Sequence, residues 1–291
     1  MLLPVKTKLV LARILNRCLR FGRGLMGRNM RTVCHRGGFR WDLDLNEGID
    51  LCIYLFGAYE GPVRNNYRPL IKPGAVIFDI GANIGAHALP FAEAAGEGGR
   101  VYAFEPTDFA FAKLCRNLAL NPGLASRVHP KQRLLVEDDQ AALPPTICAS
   151  WPVNRWTSPI TEADIDAWHL GRGMALAGAS PATADRCFEE EGLERLDLVK
   201  IDVDGNEASV LRGFRRALAA HRPAIVIELA PIVHDRNAGN TFDDYISFLA
   251  GLGYRFRDAV TLRSLPADGP ALRALIPTGA SINALLTTDR A

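Results

Sequence analysis

Short, nearly continuous apolar runs at 75–79, 101–105, 197–202 and 224–229 alternate with longer stretches whose apolar positions recur every three or four residues. Runs of the first kind suit strands buried on both faces, and stretches of the second kind suit amphipathic helices. The pattern predicts helices near 84–95, 108–120, 184–193, 206–219 and 242–251, a short strand at 134–137, and closing strands at 254–257 and 283–288. Residues 42–74 read as a mixed entry region: "LCIYLFGAYEGP" (51–62) is a short helix or strand, and "KPG" (72–74) is the turn before the first core strand. Residues 138–183 carry Pro144, Pro145, Pro152, Pro159 and Pro181 and are expected to be irregular. A segment of that length inside a compact domain is usually functional, disordered or an insertion. The expected organisation is an arm (1–41), an entry region or cap (42–74) and an α/β domain (75–291) with a mostly parallel sheet covered on both faces.

Charge changes the picture at the N-terminus. The chain has 34 Lys/Arg and 32 Asp/Glu, but residues 1–41 hold ten basic residues and no acid, which leaves 24 basic against 32 acidic beyond them. On a helix, Val10, Leu11, Ile14, Leu15, Cys18 and Phe21 share one face, and Lys6, Arg13, Arg17 and Arg20 another, with Lys8 intruding on the apolar sector. The apolar stretch is too short for a secretory signal or a membrane span, and the arm lacks the serines of a transit peptide. Two readings stay open: an interfacial helix drawn to anionic lipid through residues 1–26, or a helix packed on its own domain. The acidic remainder, with no aromatic-plus-basic stripe, argues against a nucleic-acid partner. The six cysteines show no metal-binding spacing and fit a reduced, cytoplasmic protein, peripheral to the inner face of the membrane if the arm docks there.

Sheets of this kind bind ligands at the carboxyl ends of their strands. Those ends supply Asp79, Gly81, Asn83 and Gly85; then Glu105 and Pro106; then Asp202, Asp204 and Glu207; then Glu228. A dinucleotide turn needs three glycines at close spacing so that the backbone can approach a pyrophosphate. Here Asn83 stands where the middle glycine would be, and Asp79 puts a negative charge beside the turn. Both features favour a phosphate-free, cationic nucleotide such as S-adenosylmethionine, with Glu105 accepting the ribose hydroxyls. Methyl transfer to an alcohol needs alignment and one proton acceptor. Asp202, Asp204, Glu207, Glu228 and His87 are the candidates, Asp202 first because it ends a central strand. Lys200 is expected to pair with Asp202. Asp202, Asp204 and Glu228 also suit Mg²⁺, which takes oxygen ligands. Trp151 and Trp156 suit stacking on a sugar ring, and His234 follows the strand ending near Glu228.

"VIFDIGANIGAHAL", "GRVYAFEPTDFAFAKLCRNLALN" and "LDLVKIDVDGNEASVLRG" followed by "PAIVIELAP" resemble the FkbM-type S-adenosylmethionine-dependent methyltransferases over roughly residues 59–257. The resemblance implies a Rossmann-like fold with a seven-stranded sheet, one strand antiparallel, and O-methylation of hydroxyls on sugars, polyketides or related glycans. It implies cofactor contacts from Asp79, Gly81, Asn83, Gly85, Glu105 and Pro106, with "KIDVDGNE" beside the methyl. The commoner form of that motif has Glu and Ala where this chain has Asp204 and Asn206, while Glu207 is kept. The expected acceptor is a small molecule or glycan: a sugar, glycolipid or polysaccharide precursor. A nicotinamide-dependent oxidoreductase and a non-catalytic scaffold with the same fold are the alternatives.

Overall fold

The computed structural model describes residues 5–154, 171–231 and 242–289. The chain opens with α1 (Val5–Leu25), a hairpin of β1 (Arg31–Arg36) and β2 (Phe39–Asp44), and two short helices, α2 (Gly48–Phe56) and α3 (Gly61–Tyr67). The hairpin follows from strict alternation: Phe39, Trp41 and Leu43 are buried, while Arg40 is exposed and Asp42 half-buried. Residue 41, expected as the end of the arm, therefore lies in the middle of a strand.

The elements that follow are β3 (Val76–Ile80), α4 (Ala88–Ala95), β4 (Arg100–Phe104), α5 (Asp108–Ala119), the single turn α6 (Pro122–Ala125) and β5 (Val128–Lys131). Next come β6 (Arg133–Leu135), β7 (Thr146–Ser150), β8 (Arg172–Ala175), β9 (Ser180–Ala182) and α7 (Ala184–Glu190). The last part holds β10 (Leu198–Ile201), α8 (Glu207–Arg212), α9 (Arg215–His221), β11 (Ala224–Leu229), α10 (Phe242–Gly251), β12 (Arg255–Asp258), β13 (Ser264–Leu265), α11 (Gly269–Leu275) and β14 (Ile282–Thr287). The central sheet runs β13-β12-β14-β11-β10-β3-β4-β5. From β11 to β5 neighbouring strands are parallel, and β14 is antiparallel to both of its neighbours. The seven-stranded sheet with one antiparallel member that the resemblance implies is present, but β5 fills the place expected for the strand at 134–137, whose β6 lies outside it. The two-residue β13 adds an eighth strand at the edge.

Strand order reverses between β3 and β10, so the crevice lies outside the carboxyl ends of that pair. Every residue of β3 and β10 is buried. Phe78, Phe104 and Phe214 lie under one face, the Phe78 and Phe214 rings stacked with centroids 5.6 Å apart. Trp41, Phe91 and Val226 pack on the other face, beneath the N-terminal elements.

The segment 138–183 departs from expectation. β7 and β8 pair as an antiparallel ribbon with a bulge at Cys148–Ser150, and β9 pairs with β6 rather than with the main sheet. The expected helix 206–219 breaks at Gly213, where a Cβ would overlap the carbonyl oxygen of Val136. β5 escapes the pattern because "VHPK" carries a proline, which a sheet tolerates at its edge. Trp156 and His234 lie outside the described residues.

Candidate active site

On one side of the crevice the chain leaves β3 through three left-handed residues: Gly81 (φ 80°), Asn83 (φ 47°) and Gly85 (φ 89°). Asparagine is one of the few residues with a side chain that enters this region at low cost. The amides of Gly81 and Ala82 donate to the carbonyl of Phe104 at 3.0 and 2.9 Å, tying the turn to the end of β4. A Cβ at Gly81 would overlap the carbonyl oxygen of Asp202, so the glycine turn rests directly on the backbone leaving β10.

Glu105, buried at the end of β4, joins the two loops. Its Oε2 accepts from Asn83 N at 3.0 Å, and its Oε1 accepts from the Thr107 amide at 2.9 Å and hydroxyl at 2.6 Å. Burial holds its carboxyl above the usual range against these bonds. Pro106 is buried behind it. Asp79 is fully buried, and neither carboxylate oxygen has a hydrogen-bond partner among the described residues. Burial raises its pKa although Lys200, opposite it in the sheet register, opposes the shift. A buried acid with free acceptors costs stability unless a donor completes it. The acid and the tight turn fit a ligand with an ammonium end, and Glu105 keeps lone-pair capacity for ribose hydroxyls.

On the other side, Lys200 and Asp202 form an ion pair at 3.0 Å. Burial disfavours the ammonium, but the carboxylates of Asp202, Asp79 and Glu60 more than offset it and raise the Lys200 pKa. The chain then turns through Asp204 (φ 52°) and Gly205 (φ 97°). Oxygens of Asp202, Asp204 and Glu228 lie within 4.8 Å of one another. Burial first, and then mutual repulsion, pushes Asp204 and Glu228 well above the ordinary carboxyl range.

Glu207 turns inward instead. It is buried and accepts from the Val203 amide at 3.0 Å, closing the turn that presents Asp202 and Asp204. Burial raises its pKa from 4.5 to about 7. Such a group adds stability that is complete below about pH 4.5 and is lost as pH rises through about 7, an effect of about 3 kcal/mol. Glu207→Gln keeps an acceptor for Val203 and removes the titration. The variant is expected to match wild type in urea unfolding near pH 5 and to exceed it near pH 8.

His87 is buried under the N-terminal cap rather than facing the three acids. Its Nδ1 lies 3.1 Å from the Tyr67 hydroxyl and its Nε2 3.2 Å from Glu60 Oε2. Glu60, not singled out in the sequence, also accepts from Asn283 Nδ2 at 2.6 Å and sits in a left-handed conformation (φ 49°). Burial works against its charge, but His87, Lys200 and Asn283 hold its carboxyl below the usual range. Tyr59 beside it has its phenol pushed up by burial and by the carboxylates of Glu60, Asp202 and Glu228. The "YEGP" turn was the available signal, but the partner of Glu60 on β14 is 223 residues away.

The entry region and the variable segment meet over the glycine turn. Gly48 N donates to Trp151 O at 3.0 Å, Val153 N to Asn46 O at 2.7 Å, and the Ser150 hydroxyl to Glu47. Beneath this strap lies a small cleft lined by Glu47, Asp50, Asn83, Phe109, Ala149 and Trp151. Trp151, a candidate for sugar stacking, thus stands beside Asn83.

Comparison with known proteins places the chain in a family. The profile of the Methyltransferase FkbM domain matches residues 79–256, from the acid before the glycine turn into β12. The chain is 30% identical over 201 residues to the AMB antimetabolite synthetase AmbE of Pseudomonas aeruginosa, covering 59% of this chain and 9% of that protein. It is 28% identical over 206 residues to the 31-O-demethyl-FK506 methyltransferase FkbM of Streptomyces tacrolimicus, covering 63% and 74%. With the hexuronic acid methyltransferase AglP of Haloferax volcanii it shares 28% over 151 residues, covering 52% and 54%. The chain therefore spans a small fraction of AmbE and about half of AglP. The matched stretch contains both halves of the crevice, and the chain belongs to the FkbM family of S-adenosylmethionine-dependent methyltransferases.

Proposed function

We propose that the protein is an O-methyltransferase acting on a hydroxyl of a sugar, glycolipid or polysaccharide precursor. The observation that carries this reading is the backbone contact at Gly81, which sets a cofactor turn directly against a cluster of carboxylates. S-adenosylmethionine supplies an electrophilic methyl group on a sulfonium. In this reading Asp79 receives the ammonium end and Glu105 the ribose hydroxyls, while Gly81 and Gly85 let the backbone approach. Asp202 accepts the hydrogen bond of the acceptor hydroxyl and aligns its oxygen. Bound S-adenosylmethionine would supply the methyl group and leave as S-adenosylhomocysteine, and Asp202 would take the proton of the hydroxyl being methylated. Lys200 holds the Asp202 carboxylate in place through the 3.0 Å ion pair. His87 and Glu60 act at one remove, fixing the cap above Lys200. The relatives AglP and FkbM, named as methyltransferases of a hexuronic acid and of 31-O-demethyl-FK506, support an oxygenated acceptor.

Three carboxylates this close repel one another, a repulsion that the Lys200 ammonium, a shared proton or a bound cation relieves. The oxygen-only set of Asp202, Asp204 and Glu228 supports Mg²⁺ as a second reading. Dialysis against EDTA that abolishes turnover, with recovery on adding Mg²⁺, would establish it; unchanged turnover leaves the proton. All six cysteines are free, which supports a reducing, cytoplasmic setting.

The test is transfer of labelled methyl from S-adenosylmethionine to hexuronosides, lipid-linked saccharides and polyols. Alkali-stable label on a saccharide hydroxyl is expected. Label on a carboxyl, released by alkali, would move the chemistry to ester formation. No transfer and no binding of S-adenosylhomocysteine would favour the scaffold.

A further inference from the structure

An amphipathic helix on a globular domain normally turns its apolar stripe inward. α1 does the reverse. Its seat is made by Asn16, Leu19 and Arg23. Asn16 Nδ2 donates to Leu45 O at 2.6 Å, and Arg23 donates to Asn29 O at 2.8 Å and to the Tyr54 hydroxyl at 3.2 Å. Leu19 packs against the core. The apolar positions Val10, Leu11, Ile14, Phe21 and Leu25 are left exposed, Phe21 by 71% and Leu25 by 76%. At 3.6 residues per turn they fall within about 100° of the helix circumference. Arg13, Arg17 and Arg20 occupy the adjoining arc, and residues 1–41 contain no acid.

We propose that this outward face of α1 docks the protein on an anionic bilayer surface. Exposed apolar side chains clustered on one arc mark an interaction surface rather than chance exposure. A row of arginines beside that arc supplies the charge that acidic headgroups complement. A second copy would be a poorer occupant, because pairing two such arcs brings two arginine rows together with no acid from either arm. No helix among the described residues is long and apolar enough to cross the membrane, so the helix lies in the interface plane. Arg20 bonds Asn46 at 2.7 Å, and Glu47 and Gly48 after it line the cleft beside Asn83. On the proposed reading of a lipid-linked acceptor, docking through α1 turns the cap beside the cleft toward the headgroups that carry it.

Vesicle sedimentation of the full chain reads the helix without reference to methyl transfer. The probes are vesicles of phosphatidylglycerol mixed with phosphatidylcholine, and of phosphatidylcholine alone. Wild type is expected to pellet with the anionic vesicles and to partition at least about tenfold less onto the neutral ones. Phe21→Glu combined with Leu25→Glu should reduce pelleting to background. Arg17→Ala should weaken it about fivefold on anionic vesicles only. All three positions are exposed, so the thermal midpoint should be unchanged. No pelleting of wild type, or equal pelleting of all variants, overturns the proposal. So does a dimer in sedimentation equilibrium that Phe21→Glu dissociates, which assigns the arc to a second copy.

Discussion

Asp202→Asn is expected to lower kcat for methyl transfer by roughly 10²–10⁴-fold, the contribution typical of one positioned proton acceptor. S-adenosylhomocysteine affinity should stay within about threefold, because an interaction made only in the transition state leaves ground-state binding alone. Asparagine keeps the volume and one acceptor oxygen but cannot take the hydroxyl proton. Breaking a fully buried ion pair costs about 3–5 kcal/mol. Here the loss should be smaller, since the Asp202 side chain is 24% exposed and Lys200 keeps the attraction of Asp79 and Glu60. Stopped-assay turnover beside a urea melt separates the two effects. Unchanged kcat would move the proton to Asp204 or Glu228.

Gly81→Ala is expected to abolish detectable S-adenosylhomocysteine binding and to destabilise the fold by about 3 kcal/mol or more. Two costs combine. The residue sits at φ 80°, where a side chain is strained, and the new Cβ would meet the Asp202 carbonyl, a backbone atom that cannot swing away. Relief requires the turn after β3 and the turn after β10 to separate. The amide bonds to Phe104 O and the seat of the acid cluster would be lost together. Thermal melts with and without the ligand read both consequences. An alanine variant that binds normally would show that the two turns are not held in register by this contact.

The central sheet was legible because β3, β10 and β11 are apolar runs that end in Asp79, Asp202 and Glu228. A residue at the carboxyl end of a central parallel strand has few places to point. Local pattern could not reach the rest. Asn283 and Glu60 meet only through the register of β14 with β11, and His87 finds Tyr67 and Glu60 only because α3 folds over it. The basic residues Arg31, Arg36 and Arg40 mask the alternation of Phe39, Trp41 and Leu43. For α1, periodicity gave two unlike faces but not which one turns inward. That choice rests on specific bonds from Asn16 and Arg23. At Glu207, position suggests catalysis, and the backbone bond to Val203 adds that the acid holds a turn.

The central claim is a division of labour: the β3/β4 side holds the cofactor and the β10/β11 side handles the acceptor. Calorimetric titration of S-adenosylhomocysteine into wild type, Glu105→Gln and Asp202→Asn tests it most directly. Bonds to a charged partner contribute about 1.5–3 kcal/mol, so Glu105→Gln should bind roughly 10–100-fold more weakly, with Asp202→Asn close to wild type. Normal binding by Glu105→Gln together with loss of binding in Asp202→Asn would contradict the account.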